Sequence, residues 1–547
     1  MLRISLFDGW RWAVLVPALI LALPVAIVFA SLLSPQLEVW RHLQQTVLSD
    51  YIVNSLILAG GTGLGALLLG TSTAWLVSQY HFIGRRYLEW LLLLPLAMPA
   101  YIIAYTYTGM LDFAGPLQTW LRALFGWSFG DYWFPEIRSL GGAVLMLSLV
   151  LYPYVYMLAR NAFSEQSASL LEASRTLGLS PRQHFWKVAL PLARPAILTG
   201  VALAMMEAFA DYGTVQYFGV PTFTTGIFRT WFGMGNAVAA AQLAALLTSF
   251  VLFLLLLEKW SRRKVRYYYQ GQKHSAPQRR HVGPGRQFCF LAFCWLPVLL
   301  GFLLPAWQLC SWALANWQRT LNTTFWQLVW NSFSLAAIAA LLSVILALIF
   351  AYARRLKRDP VVRFPVQLAA LGYAVPGTVI AIGVMLPLAW FDQRIDLLAE
   401  QWFGIRTGLL LSGTIVALLL AYSVRFLAVS LHGIEAGLER IKPNMDNAAR
   451  SLGYSPWQVL RSVHIPLLRG SVLTALLLVF VDVLKELPAT LVLRPFNFNT
   501  LAVRAHELAS DERLADAALP ALAIVLVGLL PVIILARSTE RQMRGVE

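Results

Sequence analysis

Residues 172–181 read Glu-Ala-Ser-Arg-Thr-Leu-Gly-Leu-Ser-Pro, and residues 447–456 read Asn-Ala-Ala-Arg-Ser-Leu-Gly-Tyr-Ser-Pro. The two decapeptides carry Ala, Arg, Leu, Gly, Ser and Pro at the same places, so this segment occurs twice in the chain. Leu190-Pro191 follows the first copy at the same distance at which Ile465-Pro466 follows the second. The duplication predicts two structurally equivalent halves.

Further repeats extend the duplication in both directions. Asn54-Ser55 recurs as Asn331-Ser332, and Pro99-Ala100 recurs as Pro376-Gly377. A basic stretch that also contains Gly and Pro separates the two halves. We therefore predict a first repeat over residues 1–258 with its loop at about 161–193, a linker over 259–287, and a second repeat over 288–547 with its loop at about 432–469.

The composition of the 547-residue chain is that of a membrane protein. Hydrophobic residues make up 58% and charged residues only 13%, and the mean hydropathy is +0.64. A soluble chain needs about twice that share of charge. About 20 apolar residues span a bilayer. Twelve stretches meet this length, near 11–33, 52–78, 88–110, 140–160, 194–212, 237–258, 288–312, 328–352, 364–390, 409–431, 470–490 and 516–537. The expected fold is all-α, with two parallel six-helix repeats.

The positive charges indicate how the chain is oriented. The net charge is +16, and Lys and Arg cluster in short runs between apolar stretches. When the spans are alternated across the bilayer, one side carries about three times as many basic residues as the other, which marks the cytoplasmic side. This pattern predicts cytoplasmic termini. It argues against nucleic-acid binding, which requires a contiguous basic face.

The duplicated loop has its own local signals. Gly178 suits the left-handed position that ends a helix, Ser180 is a good N-cap, and Pro181 fits the first turn of the next helix. Pro191 is predicted to break that second helix. The second copy has the same signals at Gly453, Ser455, Pro456 and Pro466. An ordinary interfacial helix would explain one such loop, but two equivalent loops favour a two-fold symmetric partner.

The loop resembles a family motif. Glu172 and Ala173, followed by Gly178 and Leu190-Pro191, are similar to the EAA loop of permeases from binding-protein-dependent ABC importers. The departures are Ser174 for the second Ala and Val188 for Ile. In the second copy Asn447 replaces the Glu. The resemblance covers the chain as two fused permease domains.

This resemblance implies a duplicated type I ABC importer transmembrane domain in a bacterial inner membrane, surrounded by lipid. It implies two copies of an ABC ATPase subunit and a periplasmic binding protein as partners. The chain would be a transport subunit and not an enzyme. It has no phosphate-binding GxxxxGK[ST] sequence, so ATP and Mg would bind to the partner ATPases and no cofactor to this chain. The implied coupling residues are Glu172, Ala173, Gly178, Pro191, Asn447, Ala448, Gly453 and Pro466.

The cargo implied by the resemblance is ferric iron. Residues 210–235 are similar to fused permeases of ferric-iron importers, as is the segment from Lys485 to Thr490. The same machinery could carry thiamine, a polyamine or an organophosphonate. An ion-coupled secondary transporter is a further alternative, although it would have no reason to keep two equivalent loops.

Charged residues within the predicted spans are candidates for a translocation pathway. Glu207 and Asp482 are equivalent under the repeat, as are Asp211 and Glu486. Within each repeat the two carboxylates are spaced i, i+4, Glu207 with Asp211 and Asp482 with Glu486. Each of these two pairs therefore lies on one helix face, where carboxylates would favour a passing cation. The alternative is local pairing, for instance with Lys485.

Residues that could bind iron directly are not resolved by the sequence. The eight histidines form no i, i+4 pair. Tyrosines occur near the ends of spans three and four, where phenolate ligands for ferric iron and simple packing are both possible. A metal site on this chain therefore stays unknown at this level.

Overall fold

A computed structural model of the chain describes residues 9–128, 130–164, 166, 174, 176–263, 279–357 and 359–544. Over these residues the protein is an all-α polytopic membrane protein. Eleven helices are long and apolar enough to cross a membrane, and a bent helix pair brings the number to twelve. The predicted number of spans is confirmed.

One compact unit is formed by residues 1–43, 226–248 and 321–504, and thus combines segments from both repeats. The helix Gly9–Ala30 packs within this unit against residues of the second repeat, where the Arg11 guanidinium binds the carboxylate of Asp359. The remaining helices of the unit are Ser31–Leu33, Arg229–Gly233, Thr323–Leu356, Pro360–Ala370, Leu371–Ala374, Gly377–Phe403, Ile415–Glu439, Pro443–Ser451, Pro456–Val459, Leu460–His464, Ile465–Lys485 and Pro488–Leu493.

The other compact unit is formed by residues 44–225, 249–320 and 505–547. Within it the helix Leu48–Gln79 packs on Leu140–Ser164 along a row of small residues; an added Cβ at Gly65 would lie 2.2 Å from the Ser148 hydroxyl. The remaining helices of this unit are Arg85–Leu91, Leu94–Ala97, Ala100–Leu111, Pro116–Phe125, Pro181–His184, Phe185–Ala189, Leu190–Ala210, Gly213–Tyr217, Pro284–Val298, Leu299–Leu303, Leu304–Thr320 and Leu514–Arg544.

Two short strands tie the end of the predicted linker to the first repeat. Tyr80–His81 pairs in parallel with Arg280–His281, and the rings of His81 and His281 lie 4.9 Å apart. Residues 264–278 of the linker lie outside the described residues. Four more helices are divided between the units along the chain, namely Leu37–Thr46, Phe223–Phe228, Ala237–Arg263 and Leu501–Ser510.

Two predicted spans differ from the structure. The third, near 88–110, is not one straight helix, because segments 85–97 and 100–125 meet at 91°. The ninth, near 364–390, begins later, at Gly377, and continues to Phe403. In both repeats the second segment begins directly after a proline, Pro99 or Pro376. The two prolines are themselves extended, with ψ of 141° and 144°. Proline disfavours helical geometry at the residue before it, and hydropathy alone did not reveal this.

The Asn-Ser repeat makes the same contacts in both units. Asn54 donates to the Pro221 carbonyl at 2.9 Å, and the Ser55 hydroxyl accepts the Phe223 N–H at 3.1 Å. In the second repeat Asn331 donates to the Asn499 carbonyl at 3.2 Å, and Ser332 accepts the Leu501 N–H at 2.8 Å. Each pair satisfies backbone groups where the chain is not helical, as an apolar environment requires. These matching contacts support the internal repeat at the level of single hydrogen bonds.

Candidate functional site: the two coupling loops and the charged turns

Both duplicated loops turn at a left-handed glycine. Gly178 has φ of +73° and Gly453 has φ of +84°. The residue after each glycine donates its N–H to an equivalent carbonyl, Leu179 to Ser174 at 3.0 Å and Tyr454 to Ala449 at 3.2 Å. These bonds satisfy carbonyls at the helix end. The predicted turns are confirmed, whereas Glu172 and Ala173 lie outside the described residues.

A capping box starts the second helix of each loop. The Ser180 hydroxyl accepts the Gln183 N–H while the Gln183 side chain accepts the Ser180 N–H. Ser455 and Gln458 make the same reciprocal pair. The predicted N-caps are therefore confirmed, and each box fixes the direction in which the chain leaves the turn.

The predicted breaks at Pro191 and Pro466 are wrong. Each proline lies in the first turn of a long helix, Leu190–Ala210 or Ile465–Lys485. A π-helical turn precedes it, at Phe185–Ala189 or Leu460–His464. Proline lacks the N–H that an α-helix would use, and a π-helical turn changes the hydrogen-bond register locally. The loop helix is consequently continuous with the long helix that follows.

Each loop exposes apolar side chains. The equivalent residues Leu177 and Leu452 are both 78% exposed, and they directly precede the two turn glycines. Trp186 in the first loop and Trp457 in the second are also exposed. The predicted coupling residues Gly178, Pro191, Asn447, Ala448, Gly453 and Pro466 are exposed as well. Apolar patches of this kind on a protein surface are typical of binding sites.

A buried histidine, His184, packs inside the first loop. His184 Nδ1 and the Ser174 hydroxyl lie 2.8 Å apart, and both side chains are buried. The ring of Trp75, near the end of Leu48–Gln79, packs on His184 at 6.2 Å and on Phe185 at 4.8 Å. Among the described residues, the Ser174–His184 contact and aromatic packing on Trp75 thus help to hold the first loop.

In the first repeat, Asp211 begins the turn after the long helix. Its carboxylate accepts the N–H groups of Thr214 and Val215 at 3.1 and 3.2 Å and the Thr214 hydroxyl at 3.0 Å. It therefore caps the short helix Gly213–Tyr217. Glu207 is half-buried one turn earlier in the long helix. The cap gives Asp211 a local structural task, and its place on a cation pathway stays a prediction.

In the second repeat, Glu486 has the equivalent place and a cationic partner. Its carboxylate accepts the Ala489 N–H at 3.0 Å and lies 3.4 Å from the Arg425 guanidinium. An added Cβ on Gly377 would lie within 2.5 Å of both Arg425 and Glu486, so this glycine leaves room for the pair. Asp482 lies 3.8 Å from Lys485. Local pairing is therefore present here; the sequence identified Lys485 but not Arg425.

A metal centre of His, Cys, Asp and Glu is not assembled by the described residues, which contain no group of three or more suited to one. His506 lies among aromatic rings instead, 6.4 Å from Tyr101 and 6.2 Å from Tyr212. Burial lowers the pKa of His506 to about 4, so its imidazole is neutral at neutral pH.

The chain belongs to the family of binding-protein-dependent transport system inner membrane components, whose sequence model matches it twice, over residues 66–267 and 343–545. Each match contains one of the duplicated loops and one of the turns that begin at Asp211 and Glu486. The protein is therefore a permease of the ABC importer class, built from two fused domains. This membership decides against an ion-coupled secondary transporter.

Its relatives include permeases named for several solutes. The chain is 26% identical over 494 residues to the Fe(3+)-transport system permease protein FbpB 2 of Haemophilus influenzae, a match that covers 90% of each chain. It is 24% identical to the ferric transport system permease protein FbpB of Actinobacillus pleuropneumoniae, over 83% of this chain and 66% of that protein. The molybdenum transport system permease protein ModB of Escherichia coli is 28% identical over 40% of this chain and 93% of its own length.

Proposed function

We propose that this permease imports ferric iron, which a periplasmic binding protein delivers to its outer face. Two copies of a separate ABC ATPase bind the two coupling loops from the cytoplasm, where both termini also lie. ATP binding closes the ATPases, and the loops transmit that movement to the spanning helices. The pathway then changes the side to which it is open. ATP and Mg bind to the ATPase subunits, so this chain is the transport subunit and catalyses no reaction itself.

The observation that supports the coupling role is the set of structural features that the described residues of both loops share. Each has the same left-handed glycine, the same capping box and the same π-helical turn, and each continues directly into a long helix. Because no break separates the loop from the long helix, a push on the loop moves that helix. Exposed leucine and tryptophan side chains provide the surface on which an ATPase can dock.

Two observations support iron as the cargo. The relatives named for ferric iron match both repeats, whereas the molybdenum permease matches a single repeat's length. The half-buried carboxylates Glu207, Asp211 and Asp482 favour a cation over an oxyanion. In the second repeat Lys485 and Arg425 offset part of this charge.

The proposal is tested by uptake in proteoliposomes. The permease is reconstituted with its ATPase and supplied outside with the iron-loaded binding protein. We expect uptake of radiolabelled ferric iron that requires internal ATP and is abolished by vanadate. Uptake of thiamine, a polyamine or an organophosphonate at a higher rate would reassign the cargo, and uptake without ATP would overturn the mechanism.

One permease chain is expected to bind two ATPase subunits, because each chain contains both loops. Native mass spectrometry of the purified complex measures this ratio directly. A complex with two permease chains and two ATPases would contradict the prediction, since each chain would then use only one of its loops.

Neutralising one carboxylate in each repeat is expected to slow iron uptake. Glu207→Gln combined with Asp482→Asn keeps the side-chain volumes and removes two charges, which weakens the attraction for a cation by about tenfold if each contributes under 1 kcal/mol. Uptake is measured per permease in the membrane. The isosteric control is Glu400→Gln, in the exposed pair with Arg406. Equal uptake by the double variant and the control would assign Glu207 and Asp482 to structure.

A further inference from the structure

The guanidinium group of Arg355 contacts three segments of the chain beside the second loop. Arg355 lies in the last turn of the helix Thr323–Leu356. Its Nε donates to the Asp446 carboxylate at 2.7 Å, and its two Nη atoms donate to the carbonyls of Leu438 and Ile441 at 2.5 and 2.8 Å. Leu438 lies at the end of the helix Ile415–Glu439, Ile441 lies in the turn after it, and Asp446 lies in the first helix of the loop, Pro443–Ser451.

Asp446 extends the contact to the far end of the loop. Its other carboxylate oxygen lies 2.7 Å from Nε2 of His464, which is fully buried in the π-helical turn before Ile465–Lys485. The Tyr352 ring packs on His464 at 5.2 Å, and its hydroxyl donates to the Pro456 carbonyl at 2.9 Å. We call Arg355, Asp446 and His464 the Arg355 clamp. It joins both ends of the second loop to one spanning helix.

The first repeat cannot form this clamp. Ser78, Leu171 and Ala189 stand at the positions equivalent to Arg355, Asp446 and His464. The Ser78 hydroxyl donates to the Ala74 carbonyl within its own helix at 2.7 Å. In the described part of the first loop, Ser174 contacts His184, and the Trp75 ring packs on His184.

The hydrogen bond between Arg355 and Asp446 is a strong one. A charge-assisted hydrogen bond is roughly twice as strong as a neutral one, and the Arg355–Asp446 pair is largely shielded from water, with side chains 16% and 15% exposed. A planar guanidinium also fixes direction, because its donors form a rigid fork. The Arg355–Asp446 pair therefore gives the second loop a stiff attachment to its helix bundle.

We infer that Arg355 is a positioning residue for coupling. It holds the second loop rigid against the helix Thr323–Leu356, so that movement of the ATPase displaces the helices and does not bend the loop. The inference rests on the proposed function of the loops. Removing the clamp is expected to let ATP hydrolysis continue with fewer productive transport cycles.

Two of the substitutions in the experiment replace a residue of the second repeat by the residue at the equivalent position of the first repeat. Arg355→Ser introduces the residue of position 78, and Arg355→Lys keeps the charge but removes the fork. The matched control is Arg354→Val, which introduces the residue of position 77. It removes the neighbouring ion pair with Glu435 at 2.6 Å, which joins two long helices and lies outside residues 443–464, where exchange is measured. Two quantities are measured on the reconstituted complex: ATP hydrolysed per iron imported, and amide hydrogen exchange over residues 443–464.

For Arg355→Ser we expect at least about ten times more ATP per iron, because one charge-assisted bond corresponds to a factor of about ten and Arg355 donates three. We also expect faster exchange over residues 443–464. Arg355→Lys is expected to lie between wild type and Arg355→Ser, and Arg354→Val to match wild type. Unchanged exchange and an unchanged ATP ratio in Arg355→Ser would overturn the inference. Loss of both Arg355 variants from the membrane would also overturn it, because Arg355 would then be needed for folding.

The two proposals fail in different ways. A wild-type complex that imports no iron with ATP contradicts the proposed function. The exchange measurement needs no cargo, and it still decides whether Arg355 holds the second loop.

Discussion

Gly453→Val is expected to detach the ATPase from the second loop while the permease remains in the membrane. Gly453 has φ of +84°, and an added Cβ would meet no atom within 4 Å. The cost is therefore backbone strain, about 1–3 kcal/mol for a residue held in this region and at the upper end for a β-branched side chain. A loss near 3 kcal/mol reduces the population of the correctly shaped loop by roughly 150-fold. Copurification of the ATPase with the tagged permease measures the effect.

Two controls separate loop shape from general damage. Gly453→Asn introduces a residue that adopts the left-handed region at lower cost, and it should retain most of the ATPase. Gly404→Val places the same strain at φ of +64° after the helix Gly377–Phe403, again with no atom near the new Cβ. It should leave ATPase binding unchanged. Equal ATPase retention by all three variants would contradict a role for the turn.

Arg425→Met is expected to destabilise the permease severely. Arg425 and Glu486 form a pair whose side chains are only 12% and 4% exposed. Removing the cation leaves a buried carboxylate, which costs about 3–5 kcal/mol and is a large part of the total stability of about 5–15 kcal/mol that folded domains have. Permease abundance in the membrane and the midpoint of thermal unfolding in detergent report the loss.

The rescue variant makes this prediction specific. Arg425→Met with Glu486→Gln removes both charges, and a glutamine oxygen can still accept the Ala489 N–H that Glu486 accepts at 3.0 Å. We expect recovery of most of the lost stability. Arg406→Met, which opens the exposed pair with Glu400, should cost no more than about 1 kcal/mol. A single variant Arg425→Met as stable as Arg406→Met would show that the buried pair is unimportant.

Features set by neighbouring residues were predictable from the sequence. Gly178 and Gly453 mark the left-handed turns, and Ser180 and Ser455 mark the caps. In each case the signal and the structure lie within a few residues, so the chemistry of one short segment decides the conformation. The duplication strengthened these predictions, because the same signals occur at equivalent positions in both copies.

Contacts between distant segments were not predictable in this way. Arg355 was visible in the sequence only as part of a basic run, yet its partners Leu438, Ile441 and Asp446 are 83 to 91 residues away. Arg425 looked like an ordinary residue of a span, although it pairs with Glu486. The prolines 191 and 466 gave a misleading local signal, because the π-helical turn that accommodates them has no pattern of its own.

One of the two units combines segments that lie far apart in sequence, and this affects the order in which the protein assembles during synthesis. The helix Gly9–Ala30 is among the first to leave the ribosome, but Arg11 pairs with Asp359, 348 residues later in sequence. At about 5–20 residues per second, roughly 20 to 70 s of synthesis separate the two partners. During this interval the Arg11 guanidinium is without its Asp359 partner. The unit that contains this helix is therefore completed late, only after Asp359 and the segments that extend to residue 504 have been translated.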